Sequence, residues 1–162
     1  YDYGVLTIHR EENTISEKNL KKILLDINKV AKKNNLKFLF PVHPKTKKIL
    51  AKIKSVNKKF IKLLDPLDYF KFMKYLKNAK LIVSDSGGIQ EESSLIGVPC
   101  ITIRTTTERQ LSVKYRTNVL TGYNYNKILN AIKFFQNQKI NTLKIFGDGN
   151  VSQRIFQIIK TL

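Results

Sequence analysis

Apolar residues follow two rhythms along the chain. Short runs rich in Ile, Val and Phe recur at residues 5–8, 38–42, 61–64, 81–83, 100–103 and 118–120, the pattern of strands buried on both faces of a parallel sheet. Longer stretches between them have a three- and four-residue period. Leu20, Ile23, Leu24, Ile27 and Val30 predict an amphipathic helix that stops at Asn34-Asn35, with Thr14 and Glu17 as a capping box at its start. A second helix holds Ile49, Leu50 and Ile53, and a third runs from Asp68 with Phe72, Met73 and Leu76 inward. A fourth follows Gly87-Gly88 and is capped by Gly97, with others over 108–114, 126–137 and 151–160. Repeated strand–helix alternation predicts an α/β fold: a doubly wound, Rossmann-like parallel sheet of about six strands. No repeat, low-complexity stretch or linker divides residues 1–162, which read as a single domain.

In such sheets ligands gather at the carboxyl ends of the strands, so the residues just after each run carry the candidate chemistry. These are His9-Arg10-Glu11-Glu12-Asn13, His43-Pro44, Asp65-Pro66-Leu67-Asp68, Ser84-Asp85-Ser86-Gly87-Gly88 and Arg104-Thr105-Thr106-Thr107-Glu108-Arg109. Both histidines lie there, with most of the polar chemistry other than lysine.

Composition narrows the classes. The chain has 162 residues, 42% of them hydrophobic, enough for a folded core and too many for a disordered chain. No apolar run approaches the roughly 18–20 residues that span a bilayer. The single cysteine, Cys100, excludes an internal disulfide and a cysteine-ligated zinc site, and suits a cytoplasmic setting. The opening Tyr1 is not Met and YDYGVLTI is no signal peptide, so the sequence reads as the middle of something longer, a cut domain.

A formal charge of +18 invites a nucleic-acid reading. Yet the 30 basic residues include only five arginines (Arg10, Arg104, Arg109, Arg116 and Arg154), and the lysines scatter over predicted outer helix faces. No Arg-rich stripe or recognition motif is present. The expectation is salt-sensitive attraction to polyanions, without a specific nucleic-acid partner.

Ser86-Gly87-Gly88 opens a helix behind a buried strand, where backbone N–H groups and the helix N-terminus favour an anion such as a diphosphate. Of Glu91 and Glu92 one turn on, one is placed to accept from a ribose diol; the alternative is ordinary first-turn acids on the helix dipole. Arg104 and Arg109 offer forked donors suited to phosphate or carboxylate, the alternative being a surface pair with Glu108. Tyr69 and Phe72 either stack on a base or pack in the core. His9 is the acid/base candidate, and His43 a second polar group of the same region. A triad of Ser86, His9 and Asp85 lacks the Gly-x-Ser-x-Gly turn and an oxyanion hole, and a metal site from His9, His43 and Asp85 is equally unsupported. No metal or cofactor is expected.

Together LTIHREEN (6–13), PVHP (41–44), LLDPLDYFKFM (63–73), SDSGGIQEE (84–92), GVPCITIR (97–104), TTER (106–109) and GDG…SQRI (147–155) resemble the non-hydrolysing UDP-N-acetylglucosamine 2-epimerases, in order and over essentially the whole chain. The resemblance implies the carboxyl-terminal, UDP-binding half of a two-domain enzyme of glycosyltransferase-B architecture, inactive in isolation and a homodimer at full length. It implies that Ser86, Gly87 and Gly88 hold the diphosphate, Glu92 the ribose hydroxyls, and Arg109 the phosphates. Arg10 and His43 join them as substrate-binding residues. Phe72 lies against the uracil and the Leu67 backbone reads its edge, while His9 reaches the sugar and assists catalysis. The implied reaction removes the proton from carbon-2 of the sugar as UDP leaves carbon-1, then returns UDP with carbon-2 inverted, for surface polysaccharide synthesis. The main acid/base carboxylates belong to the other domain. Gln110 stands where the family commonly has Pro, and Leu67 where it often has a polar residue. The rival readings are the UDP-sugar-binding half of a glycosyltransferase and a basic nucleic-acid-binding module.

Overall fold

The computed structural model describes residues 2–53, 59–136, 138, 140 and 146–161. Strand β1 (Tyr3–Thr7) leads through a one-turn helix α1 (Glu11–Thr14) into the long α2 (Glu17–Lys33). Next come β2 (Lys37–Pro41), α3 (Pro44–Leu50), β3 (Ile61–Leu64) and α4 (Tyr69–Lys77). The second half holds β4 (Ile82–Ser84), α5 (Gly87–Ile96), β5 (Cys100–Thr102), α6 (Gln110–Lys114), β6 (Asn118–Leu120), α7 (Tyr125–Gln136) and α8 (Val151–Lys160). All six strands are parallel, in the order β3-β2-β1-β4-β5-β6. The doubly wound sheet is therefore the one the apolar rhythm predicts. After β3 the chain crosses behind β1 to start β4, so a crevice opens at the carboxyl ends of β1 and β4.

The period-two burial of the central strands builds one core on each face of the sheet. Leu6 and Ile8, Phe38 and Phe40, Val83, and Ile101 and Ile103 join the stripe Leu20, Ile23, Leu24, Ile27 and Val30 of α2, and Ile128 and Ile132 of α7. On the opposite face Val5, Ile82 and Cys100 pack with Leu76 of α4 and Ile89 of α5. Burial on both faces holds for the central strands only. In β2 the residues Lys37, Leu39 and Pro41 are exposed or half-buried.

Two local expectations change. Thr14 is not a helix cap: it ends α1 and its hydroxyl donates to the Arg10 carbonyl at 3.0 Å. The cap of α2 is Ser16, which accepts from the Asn19 amide at 3.1 Å. Ile53 reaches the core from a turn beyond the end of α3. Asn137, the last residue of the predicted 126–137 helix, lies outside the described residues. Helix α8 forms over Val151–Lys160, but none of its residues is buried, and Val151, Ile155, Phe156, Ile158 and Ile159 are all more than half exposed.

One carboxylate joins the two strands that flank the crevice. Asp85, directly after β4 and fully buried, accepts from the His9 amide at 3.0 Å, the Arg10 amide at 2.9 Å and the Asn13 side-chain amide at 2.8 Å. The His9 ring adds a contact from Nδ1 to Oδ1 at 3.0 Å. Burial pushes this carboxyl up, but the hydrogen bonds of His9, Asn13 and the Arg10 amide outweigh it and hold it below its ordinary 3.8.

Two predictions follow from this packing. Alanine at Gly4 would bring a Cβ within 2.5 Å of Phe38 Cε1 and 3.2 Å of the Leu81 carbonyl. Gly4→Ala should therefore cost about 1–3 kcal/mol by overpacking, measured as a lowered urea midpoint. The second concerns acid. A carboxyl depressed in the folded state stabilises above its unfolded value and loses that contribution as pH falls through the folded one. Stability should drop as pH falls from 3.8, and Asp85→Asn should be less stable at neutral pH with a flatter acid limb in urea unfolding.

Candidate functional site

The five polar clusters read from the sequence converge around this crevice. Asp85 holds the backbone of His9 and Arg10, so α1 begins at a fixed height beside the start of α5. Ser84, the last residue of β4, shares a 2.7 Å hydroxyl bond with Thr7 and accepts from the Ser86 amide at 3.0 Å. Ser86 itself is extended, and its side chain makes no cap bond to α5. The first-turn N–H groups of α5 thus take nothing from their own N-cap, unlike those of α2, α3 and α4, which are capped by Ser16, His43 and Asp68.

Gly87 leaves room for the end of a neighbouring side chain. A Cβ there would meet Glu108 Oε1 at 2.6 Å, so the missing side chain lets the Glu108 carboxylate lie against the start of α5. Glu108 also lies 3.0 Å from Arg104 Nη1 and 3.5 Å from Arg10 Nη2. Arg104 is nearly buried and reaches Glu12 at 3.6 Å. Glu108 is held below the ordinary carboxylate value, first by its own amide and then by Arg104. For Arg104 the carboxylate partner is the one the structure shows.

Arg109 is half-buried, and its Nε lies 2.6 Å from Glu91 Oε1 without the alignment of a hydrogen bond. Its position rests on a buried polar network that sequence reasoning did not identify. Gln90 accepts from the Thr107 hydroxyl at 2.7 Å and the Asn118 amide at 3.0 Å, and donates to the Ser86 carbonyl at 3.3 Å. Thr107 in turn accepts from the Arg109 amide at 3.0 Å. Gln90 therefore ties Ser86 to the loop bearing Arg109. Its signal in the sequence was a polar residue on the buried face of α5. Glu92, by contrast, is partly desolvated: burial raises its carboxyl, the Tyr69 hydroxyl opposes this, and the charge of Glu91 adds to it.

On the other side of the crevice His9, His43, Leu67 and Phe72 line a cleft of about 230 Å³, floored by Thr7, Val42 and Ile89. Phe72 is half-buried and lies there with Leu67, whereas Tyr69 is mostly exposed and sets its hydroxyl on Glu92. His43 is exposed and caps α3, its Nδ1 accepting from the Lys45 amide at 3.2 Å. The His9 and His43 rings stand 6.1 Å apart. Gln110 is the first residue of α6, a position that also suits Pro. Chemically the arrangement combines an uncapped helix start, fixed guanidinium groups and an apolar slot beside a histidine. It suits an elongated anion with a flat ring at one end.

Comparison with known proteins gives the family. The family model described as UDP-N-acetylglucosamine 2-epimerase matches residues 1–160. A UDP-N-acetylglucosamine 2-epimerase of Methanocaldococcus jannaschii is 41% identical over 164 residues, covering 98% of this chain and 44% of that protein. The crystal structure of the M. jannaschii UDP-GlcNAc 2-epimerase in complex with UDP-GlcNAc and UDP superposes with a TM-score of 0.91 at 38% identity, over 99% of this chain and 46% of that one. The chain thus spans less than half the length of these relatives. The glycosyltransferase of kitacinnamycin, 11% identical, superposes with a TM-score of 0.60 over 98% of this chain and 38% of that one, a likeness of fold alone. With its strand order, its clustered strand-end residues and a family match over nearly its whole length, the chain belongs to the UDP-N-acetylglucosamine 2-epimerase family.

Proposed function

We propose that this chain is the UDP-holding half of a two-domain enzyme that interconverts UDP-N-acetylglucosamine and UDP-N-acetylmannosamine. The observation that carries the reading is the meeting of the uncapped start of α5 with Arg109 and Arg10 at the switch point of the sheet. A diphosphate there receives backbone N–H groups and forked cations that are already fixed in place. In this reading Ser86, Gly87 and Gly88 cradle the diphosphate, and Arg109 and Arg10 neutralise it. Glu92 accepts from the ribose hydroxyls. Phe72 and the Leu67 backbone hold the uracil in the apolar slot, and His43 closes that side. His9 faces the sugar.

The reaction is elimination and re-addition. A base takes the proton from carbon-2 of the sugar, the bond from carbon-1 to oxygen breaks, and UDP leaves with that electron pair. UDP then returns to carbon-1 as carbon-2 is reprotonated on the opposite face. This chain's residues stabilise the leaving diphosphate and hold it for return, while the carboxylates that move the carbon-bound proton belong to the other lobe. Two observations support that division. The chain covers 44% of its relatives' length, and α8 presents Ile155, Phe156, Ile158 and Ile159 to solvent, an apolar face of the kind a second lobe covers. We place the whole enzyme in the cytoplasm, as a homodimer feeding surface polysaccharide synthesis.

Isothermal titration and an epimerase assay test the assignment. The 162-residue chain should bind UDP weakly and show no turnover; epimerisation by the chain alone would refute the division of labour. Ser86→Tyr fills the cradle and should weaken UDP binding by at least about tenfold, or 1.4 kcal/mol. Unchanged affinity would remove the diphosphate from the start of α5.

A further inference from the structure

The Asp85 carboxylate is hydrogen-bonded more densely than a sheet connection requires, and one of its partners is a ring that faces the cleft. A carboxylate of this kind only accepts, so each group within bonding distance must bring a hydrogen. The His9 and Arg10 amides and the Asn13 side chain do so. The fourth partner is His9 Nδ1, 3.0 Å from Oδ1. A neutral imidazole carries one proton, and with a carboxylate oxygen 3.0 Å away it belongs on Nδ1, because a bare lone pair there would face the negative charge. The other nitrogen, Nε2, is then bare. It makes no hydrogen bond among the described residues, and the side chain is 39% exposed on the cleft while Asp85 is fully buried.

His43 reads the opposite way. Its Nδ1 lies 3.2 Å from the Lys45 amide, and a backbone N–H only donates. That nitrogen is therefore bare and the neutral ring carries its proton on Nε2. The two rings stand 6.1 Å apart on the same cleft.

We propose that Asp85 is a positioning residue that locks His9 as its Nδ1–H tautomer, so that His9 offers the bound sugar a bare Nε2, while His43 presents an Nε2–H to the same cleft. The proposal rests on the functional reading above for the identity of the ligand, but not for the tautomers. Its consequence is that neutral His9 meets the ligand as an acceptor. A proton taken up at Nε2 would be held without ring movement, because the Asp85 bond is the same for the neutral and the charged ring, and it would leave from the same nitrogen. The clamp acts through His9 and touches no reacting atom itself.

The chain has only two histidines, which makes the test direct. Long-range proton–nitrogen correlation spectra of the ¹⁵N-labelled chain, recorded at a pH where both rings are neutral, report which nitrogen carries hydrogen. His43→Asn assigns the two signals. His9 should be protonated at Nδ1 and His43 at Nε2. In Asp85→Asn the single side-chain oxygen must serve the two backbone amides, which leaves an N–H group facing the ring, so the His9 proton should move to Nε2. A wild-type His9 carrying its proton on Nε2 would overturn the proposal, as would an Asp85→Asn protein that folds and keeps the Nδ1 proton. Where Asp85→Asn fails to fold, the wild-type spectrum alone decides. Titration with UDP separates the two ideas. Expected tautomers without UDP binding would support the clamp and sink the functional reading, whereas UDP binding with an Nε2 proton on His9 would sink the clamp alone.

Discussion

The strand order creates a problem that a single carboxylate solves. Because β1 and β4 are neighbours in the sheet while their following connections leave on opposite faces, the carboxyl ends of these strands are where the fold is most open. The backbone groups that emerge there have lost their ladder partners. Asp85 answers this from the end of β4 by accepting from two successive amides beyond β1 and from Asn13. Such a group costs free energy when buried, and its hydrogen bonds must be complete to offset that. The start of α1, the height of His9 and the direction of Arg10 all depend on this set of bonds. At the floor of the crevice this carboxylate ties its two walls together.

Above that floor the charges alternate. Glu12, Arg104, Glu108 and Arg10 form one chain of contacts, and Glu91 and Arg109 another. These pairs are partly exposed, so each contributes little to stability. Their effect is geometric: a guanidinium held by a carboxylate on one edge keeps its remaining donors aimed outward. In a chain of +18 dominated by lysine, this sets apart the few cations with fixed directions from the many that are flexible and solvated. The excess charge raises attraction to any polyanion at low salt, whereas only donors held in direction, such as these arginines, can select one anion by its shape.

How much was legible in the sequence follows from the range of each interaction. The sheet, the α2 stripe, and α5 with its glycine start and left-handed Gly97 cap were legible because each is encoded within a dozen residues. The strand-end rule then brought His9, Ser86 and Arg109 to one crevice without any coordinates. The Thr14 cap was misread because Asn13 is drawn to Asp85, 72 residues away, which winds 11–14 into its own turn and moves the cap to Ser16. Gln90 was overlooked for the same reason, since its partners Thr107 and Asn118 are 17 and 28 residues distant. Local pattern reports what a residue resembles. It does not report which distant group will claim its side chain.

The buried polar network around Gln90 bears on what kind of site this is. A diphosphate could be bound by lysines alone, and the chain has many. Binding that stabilises a leaving group during reaction has a stricter need: its donors must already point where charge develops, because reorienting them in the transition state would consume the gain. Backbone N–H groups at a helix start meet that condition, since the helix fixes them. Arg109 meets it only if its loop is fixed too. Gln90 does this by contacting Ser86 and Thr107 from the same buried side chain, so the helix start and the arginine loop are referenced to one point. A site built only for affinity would gain little from that shared reference, whereas the release and recapture of one diphosphate proposed above would depend on it.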